Sequence, residues 1–125
     1  MSFILTDEKT GGSNLKWLGS AHATNEAQTV TLKVDAFKAF GTLIPAGVPL
    51  KQNAKGTYEP VTAAEDKLAG FLLTDQPARG ETQVAPMIWH GRIRPAFLPE
   101  KSFDITKLAA TPASFVFATK EEVEA

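Results

Sequence analysis

From Thr29 to Val34 polar and apolar side chains alternate without a break, with Val30, Leu32 and Val34 set against Thr29, Thr31 and Lys33. A period of two predicts a strand with one face in a core and one in solvent. Asp35 then predicts a capped helical turn through Phe40. Pro45-Ala46-Gly47 predicts a tight turn, because proline fixes φ and glycine accepts a positive one. Val48 and Leu50 resume an extended run, Lys55-Gly56 is a second turn, and Thr57-Tyr58-Glu59 pairs back as a hairpin. Ala69 to Thr74 holds Gly70 and three consecutive apolar residues, Phe71, Leu72 and Leu73, which suits a strand buried on both faces. Val84 to Trp89 is extended again, and Pro86 argues for an edge position or a bulge. His90-Gly91 breaks that run, Arg92-Ile93-Arg94 alternates once more, and Pro95 and Pro99 end pairing. Asp104 to Ala110 predicts a short helix stopped by Thr111-Pro112, and Ser114 to Phe117 a last strand.

These elements are short, and eight prolines and nine glycines are spread among them. No internal repeat and no doubly wound βαβ rhythm is visible. The predicted class is therefore mainly β with short helical segments, a small α+β domain. Residues 1–27 differ: Gly11-Gly12-Ser13-Asn14 and Ser20 to Asn25 are small or polar, and they flank one apolar island, Leu15-Lys16-Trp17-Leu18. The expectation is an arm that is flexible in isolation, with Trp17 available to a partner. The competing reading packs Trp17 on the domain's own core. The chain thus divides into an arm (1–27), a β-rich domain (28–119) and an acidic, frayed tail (120–125).

Composition narrows the function classes. The 125 residues fit one domain, and 43% of them are hydrophobic, enough for a substantial core. Thirteen basic and fourteen acidic residues nearly cancel, and no basic block points to nucleic acid. The absence of cysteine excludes disulfides, thiolate metal sites and cysteine nucleophiles. Met1 to Leu5 is too brief an apolar stretch for a secretory signal, and no run approaches a membrane span. Synthesis in the cytoplasm without export is the expectation.

Motifs for chemistry are scarce. His22 and His90 lack a second histidine at metal-ligand spacing, so no metal and no cofactor is expected. No nucleophile elbow, Walker loop or dinucleotide fingerprint occurs. Glu65-Asp66 and Glu121-Glu122 read as solvated carboxylates. Arg92 and Arg94 bracket Ile93 and fall on one strand face, where they either meet an acidic partner or stay solvated. Trp89 with the two arginines offers a platform for sugar. A hydrolase would need folding to unite His90 with Asp75 or Glu81.

An ordered series of segments resembles one family. It comprises Trp17-Leu18-Gly19-Ser20 with His22, Thr29-Val30-Thr31-Leu32, Ile44 to Leu50, Tyr58-Glu59-Pro60, Leu68 to Leu73, and His90 to Arg94 leading to Leu98-Pro99. Over about two-thirds of the chain this is similar to the head decoration (cement) proteins of tailed bacteriophages, the group that includes the lambda decoration protein, and is closest to versions from phages of actinobacteria. The resemblance implies a small β-rich fold and a non-enzymatic role on the outer surface of the virion. It implies a homotrimer that binds the major capsid protein at three-fold and quasi-three-fold sites and holds the shell against internal DNA pressure. The arm would order on the shell by adding a strand there, with Phe3, Ile4, Leu5, Leu15, Trp17 and Leu18 as its contacts. Pro45, Gly47, Pro49, Gly70 and Gly91 would serve as structural turns, and Arg92 and Arg94 as partner-facing residues. The arm is longer than the family's and carries a tryptophan. The alternative reading is a carbohydrate- or receptor-binding β module of a phage virion.

Overall fold

The alternation that opens the domain builds a barrel stave. In the computed structural model, which describes residues 15–19 and 27–117, strand β1 (Gln28–Lys33) buries Val30 and Leu32 and leaves Thr29 and Lys33 exposed. Eight further strands follow: β2 (Leu43–Ile44), β3 (Pro49–Gln52), β4 (Tyr58–Pro60), β5 (Gly70–Leu72), β6 (Gln76–Pro77), β7 (Thr82–Ile88), β8 (Gly91–Ile93) and β9 (Phe115–Phe117). Five of them close into a barrel in the order β1-β4-β3-β5-β7, with β7 returning to β1. Its pairings are antiparallel except β1 with β4, which meet in parallel at Leu32 and Tyr58. The fold is therefore mainly β with short 3-10 segments, as the short apolar runs predict.

Two apolar clusters share the strands. Inside the barrel lie Val30, Leu32, Val48, Leu50, Leu72 and Met87, closed off by Phe37 from the 3-10 segment Val34–Phe40. On the outer side of β5 and β7, Phe71 and Ile88 meet Trp17, Ile93, Ile105 and Phe115. Neighbouring residues of one strand thus serve opposite clusters, Leu72 inward and Phe71 outward, which is why β5 is buried on both faces. The outer cluster is roofed by a small sheet in which β8 pairs with β9 in parallel and Leu18 bridges Ile93 antiparallel.

Several local expectations need correcting. Pro86 sits in a strand with neighbours on both sides, not at an edge. It is tolerated because its C=O accepts from Leu73 N–H, past the end of β5, so the missing proline N–H faces where the ladder with β5 has already stopped. Lys33, not Asp35, precedes the 3-10 segment, and Asp35 falls in its first turn. Between Asp104 and Ala110 only one 3-10 turn forms, Ile105–Lys107, because Leu108 is already extended. Asp104 does cap it, accepting from Thr106 N–H at 3.1 Å.

Candidate functional site

The residues expected to bind a partner through the arm divide into two groups. Phe3, Ile4 and Leu5 lie outside the described residues. Trp17 belongs to the domain: it is 1% exposed, and its ring centroid stands 5.9 Å from that of Phe71. This corrects the expectation of a free arm over residues 15–19. Gly19 N–H donates to Arg92 C=O at 2.7 Å, and Arg94 N–H donates to Trp17 C=O at 2.6 Å. The segment therefore adds a short strand to its own β8 instead of a foreign edge. Leu18 packs on the outer cluster, and Leu15 remains 41% exposed.

The turn at Pro45-Ala46-Gly47 shapes the seat for Trp17. Gly47 has φ +100°, and a Cβ there would lie 2.9 Å from both Trp17 Nε1 and Pro99 Cδ. Asp75 fixes the same turn by accepting from Ala46 N–H at 2.7 Å, and Gly47 N–H donates to Leu72 C=O. Gly91, at φ +128°, makes the break between β7 and β8. Gly70 and Pro49 were expected in turns, but each begins a strand, β5 and β3. Gly70 is required because a side chain would collide with Ile88 C=O and the Met87 side chain.

Arg92 and Arg94 are arranged as the alternation predicts. Ile93 between them is fully buried, Arg92 is exposed and Arg94 half-buried. The Arg92 stem lies against Gly19, whose Cβ would meet Arg92 Cγ at 3.0 Å. Trp89, at the β7–β8 corner, is 42% exposed and stands edge-on to His90 with ring centroids 4.2 Å apart. Sequence reasoning missed Lys16, which the Trp17 strand carries to this same edge. The only available signal was its place beside Trp17.

The carboxylates of the described domain include two with structural duties. Asp66 accepts from Thr62 N–H, Ala63 N–H and Lys51 Nζ at 2.9, 3.0 and 3.0 Å. The Thr62 bond above all, with Lys51 and Ala63 behind it and burial opposing, holds its pKa below the ordinary value. Asp104 is lowered by the Thr106 hydroxyl and then by Thr106 N–H. Depressed carboxylates stay ionised at neutral pH, which suits capping and not proton transfer. Asp104 lines an open cleft of about 440 Å³ along residues 95–106. Among the described residues no group of three or more His, Cys, Asp or Glu is placed to hold a metal, and no helix is long and apolar enough to cross a membrane.

This geometry defines a small closed β-barrel with a second sheet sealed against it by a buried tryptophan. No protein-family model matches the chain, and a search of curated proteins finds no match.

Proposed function

We propose that the protein is a structural decoration subunit of a tailed-bacteriophage head, acting as a homotrimer bound to the major capsid protein on the outside of the virion. One observation supports this reading most. Residues that carry the resemblance, though scattered along the chain, meet at one seam: Trp17, Ala46, Phe71 and Ile93 share a cluster, and Gly47 lies against Trp17 and Pro99. The resemblance therefore falls on residues whose packing depends on one another, which chance matches of single segments would not do.

The burial of Trp17 changes how attachment would work. Hiding a tryptophan removes roughly 150–250 Å² from water, on the order of 4–6 kcal/mol at about 25 cal/mol per Å². Here that free energy stabilises the domain and is not available to the shell. Attachment falls to the residues before Leu15, which include Phe3, Ile4 and Leu5 and which start from a point rooted beside β8. A single short strap binds weakly, since association costs an estimated 4–15 kcal/mol. Three straps on one trimer share that cost, so strong binding requires a lattice with matching three-fold spacing.

The test is to mix the purified protein with undecorated mature heads and image them by cryo-electron microscopy. Density at three-fold and quasi-three-fold positions is expected; bare heads at saturating protein overturn the proposal. The exposed Trp89, at the corner that leads into β8, favours one alternative, a carbohydrate-binding module of a virion. Binding on a glycan array, lost in Trp89→Ala and without affinity for heads, would select it.

A further inference from the structure

The hairpin that joins β3 to β4 turns at Asn53, whose side-chain amide is held at both its oxygen and its nitrogen. Asn53 Oδ1 accepts from Lys55 N–H at 2.9 Å and from Thr57 N–H at 3.2 Å. Asn53 Nδ2 donates to Thr57 Oγ1 at 2.6 Å and to Glu59 Oε2 at 3.0 Å. The same Glu59 oxygen faces the amine of Lys33, the last residue of β1, across 3.9 Å. One carboxylate oxygen thus stands between an amine and an amide, and the three side chains line one open cavity of about 260 Å³. The Glu59 side chain is 23% exposed, whereas that of Lys33 is 53% exposed and has room to swing towards Asn53.

We propose that Lys33 and Asn53 become joined by a self-catalysed isopeptide bond, with Glu59 as the catalytic base and acid. Glu59 takes a proton from the lysine ammonium, and Nζ attacks Asn53 Cγ. Negative charge then collects on Oδ1, where the N–H groups of Lys55 and Thr57 already point, as in an oxyanion hole. Glu59 returns the proton to Nδ2 as the Cγ–Nδ2 bond breaks. The second proton that Nζ loses leaves with the ammonia, as ammonium. A lysine ammonium and a primary amide have become a secondary amide and an ammonium ion. Charge balances, and no oxidant, metal or co-substrate is consumed. The position of the bond gives it a mechanical role. In the barrel β1 meets β4 at a single pair, Leu32 and Tyr58, the neighbours of Lys33 and Glu59. Every other seam of the barrel pairs two residues or more. The isopeptide closes the barrel covalently beside its shortest seam. The inference does not depend on the capsid reading, and its test uses no capsid.

Intact mass reads the bond directly, because closure removes one ammonia from the chain. Full-length protein is purified and kept folded at pH 7 for several days, with Lys33→Arg and Glu59→Gln treated alongside. The wild type is expected to lose the mass of one ammonia. Tandem mass spectrometry of a digest should then show a branched peptide joining Lys33 to Asn53. Lys33→Arg, which keeps the charge and removes the amine nucleophile, should keep its full mass. Glu59→Gln should close at least ~100-fold more slowly, the lower end of what a positioned acid or base contributes. A wild type that retains its full mass overturns the proposal. So does ammonia loss in Lys33→Arg, or a loss mapped to a succinimide between Asn53 and Ala54. Closure of Glu59→Gln at the wild-type rate, with its fold verified by circular dichroism, overturns it as well.

Discussion

The ring of Trp17 lies against that of Phe71, centroids 5.9 Å apart and planes tilted by 32°, so a residue of the apparent arm closes the outer core of the barrel. Phe71 in turn meets Phe115 edge-on at 5.1 Å, which links the N-terminal segment to β9 across the outer face of the barrel.

Trp17→Ala should therefore unfold the protein more easily. A cavity of tryptophan size in a packed core costs about 3–5 kcal/mol. Urea titration followed by far-UV circular dichroism will measure it. A midpoint within error of the wild type would return Trp17 to the role of a free contact.

Gly47→Ala tests the seat rather than the plug. The backbone at φ +100° disfavours any Cβ, and the added carbon meets Trp17 and Pro99. A loss of about 1–3 kcal/mol is expected from the conformation alone. Tryptophan fluorescence should shift to the red as Trp17 gains solvent. An unshifted spectrum with unchanged stability contradicts the packing described.

Acid stability should depend on Asp66. Its folded pKa lies below the ordinary 3.8, so the unfolded chain binds the proton more readily. The group's contribution is fully present above about pH 5, where both states are ionised, and is lost as pH falls through the folded value. Asp66→Asn should lower stability at pH 7 by about 1.5–3 kcal/mol, the range for hydrogen bonds to a charged group. It should also flatten the fall in melting temperature below pH 4. Equal slopes in mutant and wild type would remove Asp66 from the acid transition.

Removing residues 1–14 should separate attachment from folding. The domain's melting temperature should stay within about 2 °C, since every packing partner described above is retained, and surface changes seldom exceed ±0.5 kcal/mol. Co-sedimentation with mature heads should be lost. Retained sedimentation would move attachment to the domain.

Local pattern carried much of the fold. The alternation in β1, the apolar run in β5 and the turn at Lys55-Gly56 are each set by neighbours in sequence, and each has the predicted form. Pro86 was misplaced because its tolerance depends on where a different strand ends, which no local signal records. Trp17 was misassigned for a related reason. Small and polar residues surround it in sequence, while its partners Ala46, Phe71 and Ile93 lie 29 to 76 positions away. The Arg92–Arg94 face was legible from a period of two, but its third cation, Lys16, depends on the same long-range pairing.

The ladder between β1 and β7 joins Gln28–Lys33 to Thr82–Ile88. During synthesis the first stave must wait for a partner encoded some fifty residues later, about 3–10 s at 5–20 residues per second. Val30 and Leu32 stay unsealed for that interval on an open six-residue strand. Translation speed across this stretch, and the crowding of nascent chains on one message, would thus govern how much polypeptide matures and how much aggregates.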